Sequence, residues 1–190
     1  MYLDDRNLLP VETVVSGGQD AYIIEKFLGV GLTSQVYRAR QESMGRTVAL
    51  KILRHDASAV SRDNFWHEAQ VLSEIRSYGV TNVPEIMASQ KEGDLQFLAM
   101  EYMDSQKYVP LTEYHEPFSE QEALEAAQQA LRVLQVLHEK VGRTYTDMQL
   151  NNFLWNSAEQ RLKILDWNHV STQRDYIQAE ELQFFGVATF

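Results

Sequence analysis

There is no cysteine anywhere in this chain of 190 residues, which excludes disulfide bridges and thiolate metal sites together. The same absence fits a reducing compartment. No apolar run approaches the length that a bilayer crossing needs, and Met1-Tyr-Leu-Asp-Asp5 lacks the basic start of a secretory signal. The expectation is a cytoplasmic protein with no membrane association. Positive charge is scarce, with 17 Lys and Arg against 27 Asp and Glu and a formal net charge of -10. That balance argues against broad electrostatic binding to nucleic acid. The five histidines, His55, His67, His115, His138 and His169, include no His-x-His or His-x-x-x-His pair, so they read as surface or packing residues rather than zinc ligands. Internal repeats and low-complexity tracts are also missing. What is present is a globular composition, 44% hydrophobic and 23% charged, long enough to bury a core as one domain divided into two lobes.

Residues 1–20 show no clear period and end in the turn-type cluster Ser16-Gly-Gly-Gln-Asp20, which suggests an extension or a loosely attached strand. From Ala21 the pattern is strand, turn, strand: Ala21–Leu28, a glycine turn, then Gln35–Gln41. Gly45 turns the chain into a third, apolar-rich strand at Arg46–Leu53. Phe65, Glu68, Ala69, Leu72 and Ile75 fall at helical spacing within Asp63–Ser77. Two further strands are expected near Glu85–Gln90 and Gln96–Tyr102, joined by Lys91-Glu-Gly-Asp94. The polar stretch Met103–Pro117 reads as a connector. Ser119-Glu-Gln-Glu122 is a capping box, and the helix it opens carries Leu124, Ala127, Leu131, Leu134 and Leu137 as its apolar face until Gly142. Short strands at Phe153–Trp155 and Leu162–Leu165 flank a turn, and Glu180–Phe190 looks helical and apolar. The resulting plan is α+β, with a five-stranded half carrying one helix followed by a mainly helical half.

Several residues in this plan suit the handling of a triphosphate and magnesium. Gly29 and Gly31, in a strand–turn–strand, would let backbone N–H groups approach phosphate oxygens, although an ordinary hairpin has the same pattern. Lys51, flanked by Val48, Ala49, Ile52 and Leu53, would be costly pointing inward without a partner. A phosphate together with Glu68 would satisfy it, while the alternation in Val48–Leu53 leaves its face open. Asp147 and Asn152 follow the capped helix and Asp166 follows a strand. Such hard oxygen groups suit Mg²⁺, with waters and phosphates completing the octahedron, and a carboxylate beside an acceptor could take its proton.

In this order and spacing the residues resemble the protein-kinase-like superfamily, from about Tyr22 to the end. Gly29-x-Gly31-x-x-Ser34-x-Val36 is similar to its glycine-rich loop, and Val48-Ala-Leu-Lys51 to the strand bearing its phosphate-binding lysine, with Glu68 as the helix partner. Phe97-Leu-Ala-Met-Glu-Tyr-Met103 looks like the hinge. The resemblance implies Met100 as gatekeeper, the backbones of Glu101 and Met103 facing adenine, and Leu28, Val36, Ala49 and Leu154 sandwiching the base. Tyr145-Thr-Asp147 through Asn152 is similar to the catalytic loop, which implies that Asp147 orients the hydroxyl and that Asn152 and Asp166 hold Mg²⁺. The implied fold is bilobal: an extension over 1–20, an N-lobe over 21–102, and a hinge and truncated C-lobe over 103–190. ATP and Mg²⁺ are the implied cofactors, and a protein or small-molecule hydroxyl is the implied acceptor.

The departures from the family pattern are equally specific. Tyr145 and Thr146 replace His-Arg, so a phosphorylated activation loop would lack its cationic anchor. Gln149 stands where a lysine is usual, and Asn168 replaces the glycine after Asp-Phe. Only Trp167–Glu180 separates Asp166 from a stretch, Glu181-Leu-Gln-Phe-Phe-Gly186, that resembles the central C-lobe helix, and no Ala-Pro-Glu motif follows. Such a short connection is similar to small-molecule kinases of the aminoglycoside and choline phosphotransferase type. The front half is similar to serine/threonine protein kinases. The expectation is thus a minimal serine/threonine protein kinase or a chain cut short, with a small-molecule kinase as one alternative. The other is a non-catalytic ATP-binding module, whose apolar end at Phe184, Phe185, Val187 and Phe190 would invite a protein partner.

Overall fold

Six antiparallel strands form the principal sheet of the computed structural model, which describes residues 8–171 apart from 18–19, 32, 92–94, 116 and 169. The strands are β1 (Val14–Gly17), β2 (Asp20–Val30), β3 (Ser34–Gln41), β4 (Arg46–Leu53), β5 (Ile86–Gln90) and β6 (Phe97–Glu101), in the order β1-β2-β3-β4-β6-β5. Five of them stand where apolar alternation places them, and β4 keeps its expected bounds. The sixth, β1, lies inside the stretch read as an extension or loose strand. It is tied in by register with β2 and by the buried Val15. Gly45, at φ 62, supplies the left-handed residue that closes the β3–β4 hairpin.

One face of this sheet gathers Val15, Tyr22, Ile24, Tyr37, Ala39, Val48, Leu50, Ile52, Phe97 and Ala99 into a buried cluster. Their neighbours along each strand face the other way. The helix α1 (Ala59–Ser77) begins four residues before the expected Asp63. Ser58 explains the difference, because its Oγ accepts the Ser61 N–H at 3.1 Å and starts the helix in a polar turn that apolar spacing does not reveal. The described residues up to Ala69, with Ile86–Tyr102, form one compact unit, and Gln70–Glu85, with the described residues from Met103 onward, form a second.

The second unit contains β7 (Val109–Pro110), α2 (Glu120–Val136), β8 (Thr144–Tyr145), β9 (Phe153–Asn156), β10 (Arg161–Ile164) and β11 (Val170–Ser171). Ser119 caps α2 as expected, with both halves of the capping box formed. The last turn, Leu137–Val141, is a π-turn that Gly142 ends at φ 72. The expected apolar face of α2 needs correction: Leu124 and Leu131 are 58% and 43% exposed, whereas Ala126, Ala130, Val133, Leu134 and Leu137 are buried. The small residues Ala126 and Ala130 lie inward because they admit close packing, which a search for large apolar side chains passes over. Asn82 then anchors β10 to α2. Its Nδ2 donates to Gln129 Oε1 at 2.7 Å and to the Leu162 carbonyl at 2.9 Å, and its own carbonyl accepts the Ile164 N–H at 2.8 Å. The expected helix at Glu180–Phe190, with Phe184, Phe185, Val187 and Phe190, lies outside the described residues, as does most of the Trp167–Glu180 connection. Among the described residues no helix is long and apolar enough to cross a membrane.

Two outcomes are expected. A Cβ at Gly17 would lie 2.4 Å from Phe97 Cζ, and that ring is itself buried edge-on against Tyr22 with centroids 5.3 Å apart. Gly17→Ala should therefore destabilise the fold by about 1–3 kcal/mol, as read by urea denaturation. An unchanged midpoint would show that β1 is not integral to the sheet. Asp20 is held down to about 2, from 3.8, by the Ser43 hydroxyl above all and then by the Gln41 amide and the N–H groups of Ser43 and Ala21, against the opposing effect of desolvation. A depressed carboxylate stabilises the fold above its unfolded value and loses that contribution as the pH falls through its folded value. Asp20→Asn should be less stable than the parent at neutral pH, and the gap should close between pH 3.8 and about 2.

Candidate active site

The sheet face opposite the buried cluster carries the candidate residues of the first unit. Gly29 pairs with Val36, Val36 with Lys51, and Lys51 with Leu98, while Ala49 pairs with Met100 in the adjoining row. Cross-strand partners share a face, so Gly29, Val36, Ala49, Lys51 and Met100 are presented together. The open question of where Lys51 points is resolved by α1. Glu68 Oε2 lies 2.5 Å from Lys51 Nζ, with the side chains 2% and 10% exposed. Each charge is satisfied by the other, with both side chains largely withdrawn from solvent.

The glycine turn has the hairpin hydrogen bonding that its pattern also allowed. Gly29 sits within β2, and the Gly31 N–H donates to the Ser34 carbonyl at 2.8 Å, so that amide is engaged inside the hairpin. A Cβ at Gly29 would meet nothing within 4 Å. Both positions leave room above the sheet, while Ser34 is buried beside Leu53. Leu28 is exposed and Met100 buried. Glu101 falls on the other face, opposite Val48, so its side chain is directed away from the Lys51 row.

The second unit holds Asp147, Asn152, Asp166, Met103 and Leu154. Leu154 is buried in β9, paired with Pro110 and Lys163. Asp147, half-buried, has both carboxylate oxygens engaged: Oδ1 accepts from Gln149 Nε2 at 2.6 Å and Oδ2 from Asn152 Nδ2 at 3.0 Å. Asn152 is buried, and its Nδ2 also reaches the Asp147 carbonyl at 3.1 Å and the Tyr145 hydroxyl at 3.3 Å. Its carbonyl accepts the Leu165 N–H at 2.8 Å, which fixes the residue before Asp166. Asp166 has φ 56, a left-handed conformation that Asp tolerates better than most residues. Its Oδ1 accepts from Asn168 Nδ2 at 2.5 Å. Tyr145 and Trp167 pack ring against ring, 4.8 Å between centroids, and Trp167 Nε1 donates to the Ile164 carbonyl.

This arrangement fits a magnesium ion. Among the described residues no cation pairs with either Asp147 or Asp166. Among the described residues, every hydrogen bond of the Asn152 side chain uses its nitrogen, which leaves Oδ1 as an acceptor. Asn168 Oδ1 is buried without a partner, the kind of orphaned oxygen that an ion or its water satisfies. Among the described residues no group of three His, Cys, Asp or Glu forms a complete cage, and Mg²⁺ seldom uses one, relying on waters and phosphates instead. The Tyr145 hydroxyl and the Gln149 amide were not anticipated from sequence as contributors. The visible signal was that both stand at departures from the family pattern within the same short loop.

The Lys51–Glu68 pair carries its own test. Glu68→Ala leaves a buried ammonium without a counter-charge and should cost about 3–5 kcal/mol. Joint replacement, Lys51→Met with Glu68→Leu, should restore most of that loss in urea denaturation. A small loss in the single variant would mean that the pair is well solvated.

The chain matches the family described as Protein kinase domain over residues 22–183. It is similar to serine/threonine-protein kinase pkn2 of Myxococcus xanthus, 33% identical over 74% of this chain and 17% of the relative. Serine/threonine-protein kinase PknB of Mycobacterium leprae is 29% identical over 78% of this chain and 24% of the relative. Serine/threonine-protein kinase ppk11 of Schizosaccharomyces pombe is 27% identical over 85% and 50%. The chain thus spans from under a fifth to half of the length of these relatives. The match extends from β2 past the last described strand and takes in both the lysine–glutamate pair and the acidic loop, so the chain belongs to the protein kinase family.

Proposed function

We propose that this chain is an ATP- and magnesium-dependent phosphotransferase of serine/threonine protein kinase type, which moves the ATP γ-phosphoryl group to a hydroxyl. The domain reading that goes with it is an N-lobe over 21–102 and the remaining kinase domain over 103–190, with 1–20 preceding them. The observation that carries the proposal is Asp147 hydrogen-bonded to Asn152, whose backbone carbonyl in turn holds the N–H of Leu165 just before Asp166, two carboxylates and an amide oxygen without a described cation among them.

Bound Mg²⁺ would neutralise charge on the phosphate oxygens. Asn152, through Oδ1, and the Asp166 carboxylate are the groups that would hold it. Lys51, kept in place by Glu68, would meet a phosphate with its remaining N–H donors. Gly29 and Gly31, with Ser34 at the start of β3, would contribute open space above the phosphates. Leu28, Val36, Ala49, Met100 and Leu154, with the backbones of Glu101 and Met103, would receive the adenine. Asp147 would orient the acceptor hydroxyl and take its proton as the new oxygen–phosphorus bond forms. The bond from the γ-phosphorus to the bridging oxygen breaks in the same step, and ADP leaves. The amides of Gln149 and Asn152 aim the carboxylate for that task.

Protein hydroxyls are favoured as acceptors because the relatives are serine/threonine protein kinases by name. The short stretch from Trp167 to Glu180 favours a small-molecule hydroxyl. Transfer of labelled γ-phosphate, assayed on protein and small-molecule acceptors, decides between them. Asp147→Asn should lower transfer about 100-fold or more while nucleotide binding survives, and Lys51→Ala should weaken binding of the nucleotide phosphates. Tight Mg²⁺-ATP binding without transfer to any acceptor would instead support a non-catalytic module. Nucleotide binding indifferent to Lys51→Ala would overturn the site.

A further inference from the structure

The Tyr145 hydroxyl sits between the two arms of the magnesium site proposed above. It donates to the Leu165 carbonyl at 2.8 Å and accepts from Asn152 Nδ2 at 3.3 Å. The direction of both bonds follows from chemistry: a carbonyl can only accept, so the phenol proton goes to Leu165 and a lone pair remains for the amide. Asp147 makes the same demand on Asn152, since its carbonyl and Oδ2 can also only accept. An inverted Asn152 amide would place its oxygen against three oxygen acceptors. Nδ2 is therefore held toward Tyr145 and Asp147, and Oδ1 is directed elsewhere.

We infer that Tyr145 is a positioning residue for the metal, its hydroxyl fixing both the rotation of Asn152 and the carbonyl of Leu165 that leads into Asp166. The inference rests on the proposed magnesium site. The two arms are already joined through the backbone, where the Leu165 N–H meets the Asn152 carbonyl. The hydroxyl adds a second link from the Asn152 side chain to the Leu165 carbonyl. Two links at one residue define an orientation where one would leave a hinge. Asp166 needs that support because its backbone is held at φ 56. The ring has a separate task, packing on Trp167, so hydroxyl and ring can be separated by substitution.

Tyr145→Phe keeps the ring and removes the two hydrogen bonds. Mn²⁺ serves as a spectroscopic substitute for Mg²⁺, and its binding to the full chain in the presence of ATP is read by electron paramagnetic resonance. The expected result is Mn²⁺ affinity lowered about tenfold, with metal-free ATP affinity and the melting temperature close to those of the parent. Should the Phe variant fold poorly, Tyr145→Met, which fills the space flexibly without a hydroxyl, should show the same selective loss. Asn152→Ala is measured alongside. Unchanged Mn²⁺ affinity in Tyr145→Phe, with Asn152→Ala impaired, overturns the positioning role alone. Unchanged affinity in both overturns the metal site and this inference with it. A loss of Mn²⁺ affinity matched by equal losses of metal-free ATP binding and thermal stability assigns Tyr145 a packing role and also overturns the inference.

Discussion

A lysine ammonium nearly withdrawn from water is tolerable only beside a negative charge, and the Lys51–Glu68 pair organises the first unit around that requirement. Lys51 lies on a strand whose alternate residues, Val48, Leu50 and Ile52, belong to the buried cluster. A one-residue slip in register would move Lys51 into that cluster and expose the apolar set. The pair also fixes α1 against the sheet face opposite the cluster, because Glu68 is the residue that must reach the strand. Sheet register, helix placement and the presentation of Gly29, Val36, Ala49 and Met100 are consequences of one constraint.

In the second unit the equivalent organiser is an amide. Asn152 is buried, and its nitrogen contacts Asp147 and Tyr145 while its carbonyl receives the Leu165 N–H. Asn82 and Gln129 perform the same kind of work one layer back, holding β10 to α2 by paired amide contacts. Buried polar groups of this sort stabilise only when each is satisfied. Satisfaction in turn specifies a single arrangement for the loop that runs from β8 to β9.

Much of this was legible in the sequence because the signals are local. The capping box at Ser119, the strand Arg46–Leu53 and the spacing of Asp147, Asn152 and Asp166 are each set by short-range chemistry. What was not legible depends on tertiary partners. Alternation could not assign a face to Lys51, whose partner is a helix residue distant in sequence. Leu124 and Leu131 were credited with burial on apolar spacing alone, yet the neighbours of α2 favour the alanine side of the helix. The glycine turn could be read as a phosphate cradle or an ordinary hairpin, and only the folded chain shows that the Gly31 amide is bonded to the Ser34 carbonyl. Tyr145 was visible only as a substitution, since a hydroxyl's partners are unknown until the chain folds.

Within the proposed function these findings share a direction. The loop from Tyr145 to Asn152 contains no Lys, Arg or His, and the groups that orient Asp147 are neutral amides. Neutral donors fix the geometry of a carboxylate without cancelling its charge. In the proposed reading, positive charge beside these carboxylates would come from outside the loop, from a divalent cation. At position 149 the donor is the neutral Gln149 amide, which reaches Asp147 Oδ1. An amide there keeps the Asp147 carboxylate aimed. The departures from the family pattern at Tyr145 and Gln149 therefore place neutral hydrogen-bonding groups on Asn152 and Asp147.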